Sequence, residues 1–136
     1  VLVVVCNDPA SLTDAYALIK VLSRDCGIPR MQLIANRVKT PGEGREVYDN
    51  LCRVADRFLD VTLNYLGHVP EDDKIVRSAR QQRPVLDAYP GAPSAQAFRQ
   101  IAGKLLEIAP QRGARGHIEF FVERLVGPGA DMAMTA

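Results

Sequence analysis

The opening run Val1-Leu-Val-Val-Val-Cys6 constrains this chain more than any other stretch. Six consecutive apolar residues, four of them β-branched, leave no polar side to face water. Such a strand is buried on both faces, as in a parallel sheet covered by helices. A second run, Met31-Gln-Leu-Ile-Ala-Asn-Arg-Val38, and a third, Leu63 to Val69, repeat the pattern at spacings that leave room for a helix between each pair. Strand, helix and strand at these intervals predict right-handed βαβ units in an α/β fold. Three strands are fewer than the five or more of a doubly wound domain. A core strand at the first residue, without an initiator Met, adds to the expectation that this is the carboxyl-terminal portion of a longer protein.

The segments between the strands carry helix signals. Asn7-Asp8-Pro9 reads as a turn, and Ser11-x-x-Asp14 as a capping box that opens a helix with Leu12, Ala15, Ile19 and Leu22 on one stripe. Gly27 and Pro29 end it. Thr40, Pro41 and Glu43 repeat the device for a helix burying Val47, Leu51, Val54 and Phe58. After the third strand, a short helix from about Asp72 to Gln81 is expected to turn Ile75, Val76 and Ala79 inward, with a short extended piece at Arg83-Pro84-Val85. Pro93-Ser94 starts a further helix with Phe98, Ile101, Leu105 and Ile108 inside. The expected organisation is an α/β half-domain over 1–109, a linker over 110–116, an amphipathic helix over 117–126 and a disordered tail over 127–136.

The chemistry-bearing residues gather at strand ends. Ligands of open α/β sheets bind beyond the carboxyl ends of the strands, and the second run ends in Asn36-Arg37. An Asn amide can donate to one atom of an adenine edge while accepting from the next, and a guanidinium can stack on a base or meet a phosphate. Asn is also an ordinary turn residue after a strand, and this residue alone does not choose between the two roles. Other chemistries find little support. At 136 residues and 47% hydrophobic composition the chain can bury a proper core, and a net charge of +1 with acids and bases interspersed argues against direct nucleic-acid binding. Cys6, Cys26 and Cys52 have no metal-ligand spacing and read as reduced thiols of a cytoplasmic protein. No apolar run reaches the roughly 20 residues of a membrane span. His68 stands at a strand end without the companions of a metal site.

Taken together, Asn7-Asp-Pro-Ala-Ser-Leu-Thr-Asp-Ala-Tyr16, Leu33-Ile-Ala-Asn-Arg37 and Leu66-Gly-His-Val-Pro-Glu-Asp72, with Ala79 and Pro84, resemble the second half of the MinD/ParA-type deviant P-loop ATPases. Asp14-Ala-Tyr-Ala-Leu-Ile-Lys20, Asp56-Arg-Phe-Leu-Asp60 and Arg115-Gly-His-Ile-Glu-Phe-Phe-Val-Glu-Arg-Leu125 are similar to the flagellar-number regulator branch of that family, FlhG or FleN. The resemblance implies a partial doubly wound parallel sheet of the MinD-like P-loop NTPase fold, lacking the amino-terminal strands and the P-loop and ending in an amphipathic helix. It implies ATP or ADP as ligand, with Asn36 recognising adenine, Arg37 beside it, and Pro70, Glu71 and Asp72 forming the loop that closes over the base. Asp14 matches the start of a helix near a nucleotide-dependent homodimer and partner interface. Expected partners are an enhancer-binding transcriptional activator of flagellar genes, restrained by the protein, and flagellar assembly components.

The phosphate chemistry of that family needs a Gly-rich loop with lysines, and no Gly-x-x-x-x-Gly-Lys-Ser/Thr occurs here. Lys20, Lys39, Lys74 and Lys104 lie outside any such loop, so the segment alone is expected not to hydrolyse ATP, and magnesium is expected only with the family's other half. The last helix places Ile118, Phe121, Val122 and Leu125 on one side. Its acidic polar face favours docking on protein, through Phe121 and Leu125, over peripheral contact with the inner face of the cell membrane. Two other readings stay open from sequence. One is a nucleotide-independent protein-interaction module, or another MinD/ParA-like positioning ATPase. The other is a receiver-like signalling domain, which would need an acidic pair after the first strand where Asp8 stands alone.

Overall fold

A computed structural model describes residues 1–108. The linker, the amphipathic helix with Phe121 and Leu125, and the tail expected from sequence lie outside the described residues. The elements run β1 (Leu2–Cys6), α1 (Pro9–Arg24), β2 (Arg30–Val38), α2 (Pro41–Phe58), β3 (Thr62–Pro70), α3 (Asp73–Arg80), α4 (Val85–Ala88) and α5 (Pro93–Glu107). The three strands form a parallel sheet in the order β1-β2-β3, with Cys6 level with Asn36 and Asn36 level with Val69. All three strands therefore end at the same edge.

Helices α1 and α2 cover one face of the sheet. Val3, Val5, Met31, Leu33, Ala35, Val38 and Leu63 meet Ala15, Ile19, Val47, Leu51 and Ala55 there. Ile19, Met31 and Leu33 are fully buried, and each such side chain contributes roughly 1.5–3 kcal/mol of transfer free energy. On the other face Ile34, Leu66 and Val69 pack against Ile101 of α5. Glycine permits two close approaches. A Cβ on Gly44 would stand 2.7 Å from the Tyr65 hydroxyl and 3.0 Å from His68 Cβ, so α2 lies tightly on β3 only because none is there. Gly67 does the same for α5, with a built Cβ 3.1 Å from Ile101 Cγ1.

The strand-helix alternation follows the sequence pattern, but several local details differ from it. Helix α1 begins at Pro9 with Asp8 as its N-cap, the Asp8 carboxylate accepting from Ser11 N–H at 2.8 Å. The proline's fixed φ suits the first helical position, so the helix starts ahead of the Ser11–Asp14 box. Ser11 Oγ instead accepts the Cys6 N–H at 2.9 Å, tying the end of β1 to the helix. On α2 the buried line runs through Gly44, Val47, Leu51 and Ala55, while Val54 and Phe58 are 41% and 53% exposed. The small residues at its ends let the helix lie flat, and that rotates Val54 and Phe58 outward.

Helix α3 turns Ile75 and Ser78 inward and leaves Val76 and Ala79 exposed. Buried Ser78 satisfies its hydroxyl on the Ile75 carbonyl at 2.9 Å. The segment after Pro84 is the short helix α4 rather than an extended piece, because Pro84 O accepts from both Asp87 N and Ala88 N. Helix α5 buries Ser94, Ala95, Ala97 and Ile101, whereas Phe98, Leu105 and Ile108 remain partly open. Among the described residues no helix is long and apolar enough to cross a membrane.

Candidate functional site at the carboxyl ends of the strands

The end of β2 does not follow strand alternation. Met31, Leu33 and Ala35 face α1 and α2, so Arg37 would be next on that side. Instead Arg37 adopts a left-handed backbone with φ 56°, and the register between β2 and β3 slips between Asn36 and Val38. This is a bulge: one extra residue bends the strand and re-aims its neighbours. Val38 drops into the core at 1% exposure and Arg37 swings out to solvent. A non-glycine residue held at positive φ costs of order 1–3 kcal/mol and persists only where its surroundings hold it; Gln82, in the turn after α3, is the other such residue among those described. The bulge leaves Asn36 half-buried, on the sheet face opposite α1 and α2, at the strand ends.

The loop after β3 meets this bulge from the side. Pro70 is level with Val38, and the Glu71 N–H donates to the Val38 carbonyl at 2.9 Å. The Arg37 guanidinium reaches the Glu71 carboxylate at 3.5 Å, an exposed pair of little energetic weight. Asn36, Arg37, Pro70 and Glu71 are thus neighbours at this edge. The Asp72 side chain is engaged with two helices. Its carboxylate caps α3 by accepting from Lys74 N–H at 2.9 Å and holds the start of α5 by accepting from Ser94 N–H at 3.1 Å and Ser94 Oγ–H at 2.7 Å. Burial pushes the Asp72 carboxyl up, but these hydrogen bonds from Ser94 and Lys74 outweigh it and hold the group below the usual carboxylate range. Asp72 anchors the loop that carries Pro70 and Glu71.

Main-chain chemistry at the loop is correspondingly limited. Pro70 has no N–H, and that of Glu71 is already committed to Val38. The carbonyl oxygens of Pro70 and Glu71 are acceptors, which take a hydrogen bond from an amino group and repel a carbonyl.

One group at this edge escaped the sequence reading. Glu43, whose spacing from Thr40 marked it only as the closing residue of a helix cap, accepts from Asn7 Nδ2 at 2.7 Å and from the Lys39 N–H. Those bonds, the one from Asn7 foremost, hold its carboxyl below the ordinary value. Asn7 had been legible only as a turn residue. Asp14 lies exposed in the second turn of α1, away from this cluster and free of capping duty. His68 is a packing residue: its ring Nδ1 is 3.3 Å from the Tyr65 hydroxyl, and Gly44 packs on its Cβ. A groove of about 360 Å³ runs along β3 and α5 beside Gly67, His68, Pro70, Gln100 and Lys104. Lys104 Nζ donates there to the Leu66 carbonyl at 2.9 Å. Of the candidate residues only Pro70 borders this groove.

Comparison with known proteins places this arrangement. No family model matches the chain. The antiactivator FleN of Pseudomonas aeruginosa is 47% identical over 126 residues, covering 93% of this chain and 45% of that protein. The chain belongs to the FlhG/FleN branch of the MinD/ParA-like family. A flagellum site-determining protein, YlxH of Helicobacter pylori, is 36% identical over 107 residues, covering 78% of this chain and 36% of that protein. A chloroplastic septum site-determining minD homolog of Arabidopsis thaliana is 30% identical over 122 residues, covering 84% and 36%. The chain thus spans less than half the length of these curated relatives. Its three parallel strands and their helices form part of a MinD-like P-loop NTPase fold, as expected from the resemblance. This membership sets aside the receiver-like reading.

Proposed function

We propose that this chain is the adenine-binding and partner-interaction portion of an ATP-dependent regulator of flagellar number and flagellar gene expression. The observation that carries the reading is the left-handed bulge at Arg37, which presents Asn36 beside the Pro70–Glu71 loop at the sheet edge where α/β ligands bind. Asn36 supplies a donor and an acceptor for the adenine edge, and the loop carbonyls supply acceptors for its amino group. A carbonyl in that place disfavours guanine, which carries an oxygen where adenine carries the amine. The names of the relatives support the regulatory half of the proposal, since one is an antiactivator and another determines flagellum sites.

In this reading the phosphates and magnesium are handled by residues outside this chain, hydrolysis belongs to the full-length protein, and the nucleotide controls a homodimer. Asp14 on the exposed side of α1 then belongs to the interface, and the restrained partner is a transcriptional activator of flagellar genes. The protein works in the cytoplasm, with flagellar assembly components as further partners. The test is binding of the full-length protein to that activator with ATP, with ADP and without nucleotide. A clear preference among the three is expected. Equal affinity in all three states would replace this reading with a nucleotide-independent interaction module.

A further inference from the structure

Asn7 belongs to the loop between β1 and α1, and Lys39 to the loop between β2 and α2. The Glu43 side chain joins them, one oxygen accepting from Asn7 Nδ2 and the other from the Lys39 N–H. Its own N–H donates to Thr40 Oγ1 at 3.1 Å, so the carboxylate is held at the first turn of α2. Helix capping explains the bond within the β2–α2 loop. It does not explain the bond to Asn7, 36 residues away in sequence and on another element. Asn7 itself follows Cys6, whose N–H is fixed by Ser11 Oγ of α1, and Lys39 is two residues beyond the strained Arg37.

From this geometry we infer that Glu43 is a positioning residue, coupling the start of α1 to the strand end that presents Asn36 and Arg37. The inference rests on the reading of Asn36 as the base-contacting residue and names how that site is joined to α1. A change in the loop before α1, such as a partner pressing on that helix, reaches the base site through this carboxylate. Conversely, a base seated against Asn36 fixes Lys39 and through it Asn7. The carboxylate is required because it offers two acceptor oxygens to two donors, and a Gln side chain offers one.

The donor-acceptor pattern can be inverted, which gives a sharp test on the full-length protein. In Glu43→Gln the amide cannot accept from both Asn7 and Lys39. In Asn7→Asp two carboxylates face each other. In the double variant, Asn7→Asp with Glu43→Gln, the amide and the carboxylate exchange places. The amide on α2 can then donate through its nitrogen to the carboxylate before α1 while its oxygen accepts from the Lys39 N–H, with the net charge of the natural protein. Hydrogen exchange of the peptide containing Lys39 and equilibrium affinity for a non-hydrolysable ATP analogue are measured for all four proteins, with Asn36→Ala as control.

Asn7→Asp is expected to speed exchange at Lys39 about five- to tenfold, the loss of roughly one hydrogen bond, although Asn7 makes no bond to Lys39. Affinity for the analogue should fall severalfold in each single variant, and the double variant should return to within about twofold of the natural protein, the reversal that a coupled pair gives in a double-mutant cycle. Unchanged Lys39 exchange in Asn7→Asp, or a double variant no better than its parents, would overturn the inference and leave Glu43 as a helix cap alone. The control separates the two readings. Asn36→Ala with undiminished affinity removes the base-contact reading, and the exchange cycle then decides the coupling by itself.

Discussion

Replacing Asp72 by alanine should destabilise the protein well beyond the loss of an ordinary surface carboxylate. Three hydrogen bonds end on this side chain. Loss of the N-cap bond to Lys74 costs about 1 kcal/mol. The two groups of Ser94 matter more, because Ser94 is fully buried at 0% exposure and water cannot replace the lost acceptor. A buried polar group left without a partner costs about 1–3 kcal/mol. Both Ser94 groups share one acceptor oxygen and are counted as a single loss, so the sum is roughly 2–4 kcal/mol, read as a lower midpoint in urea unfolding of the full-length protein. Ser94→Ala added to Asp72→Ala should recover about 1 kcal/mol by removing the orphaned hydroxyl, whereas Ser94→Ala alone should destabilise. A loss below about 1 kcal/mol for Asp72→Ala, or strict additivity of the pair, would refute the assignment of Asp72 as the anchor between α3 and α5.

Four further outcomes follow from the same geometry. The folded-state carboxyl of Asp72 lies below its ordinary value, so its stabilisation is fully present above about pH 4. It is lost as pH falls through the folded value; acid titration of unfolding should show a smaller decline in Asp72→Asn than in the natural protein. Gly44→Ala should cost about 1–3 kcal/mol through overpacking against Tyr65 and His68, and Tyr65→Phe, which removes the nearest atom, should recover part of it in chemical denaturation. Arg37→Gly should change stability by less than about 1 kcal/mol, because relief of the left-handed backbone is offset by glycine's extra entropy. Arg37→Val should lose more than about 1 kcal/mol because a β-branched residue tolerates that conformation poorly; equal stability of the two variants would contradict the strain.

The strands were legible because each is an apolar-rich run of the right length, but the first is not buried on both faces as its composition suggested: Val3 and Val5 lie in the core while Leu2 and Val4 are 42% and 54% exposed. Helix α1 was legible in its buried line, Ala15 and Ile19, but not in its first residue, since Asp8-Pro9 and Ser11-x-x-Asp14 offer competing caps and only the tertiary bond from Cys6 to Ser11 decides between them. The inward faces of α2, α3 and α5 were right at Val47, Leu51, Ile75 and Ile101 and wrong elsewhere for one reason. Periodicity weights large apolar residues such as Val54, Val76 and Phe98, whereas close packing selected Gly44, Ser78, Ala95 and Ala97. At the site, Asn36 and Arg37 could be found from their place at a strand end. Neither the bulge nor the anchoring role of Asp72 could, because both depend on contacts between β2, β3 and α5. The Glu43–Asn7 bond was hidden for the same cause, each partner having an adequate local explanation.

The central claim, adenine recognition by Asn36 at the bulged end of β2, is tested most directly by calorimetric titration of the full-length protein and its Asn36→Ala variant with ATP and GTP analogues. The account predicts tighter binding of the adenine nucleotide and a loss of about 5- to 150-fold for it in the variant, the equivalent of roughly 1–3 kcal/mol for a bidentate base contact. The guanine nucleotide should change little. Equal affinity for the two nucleotides, or an Asn36→Ala variant that binds ATP as the natural protein does, would contradict it.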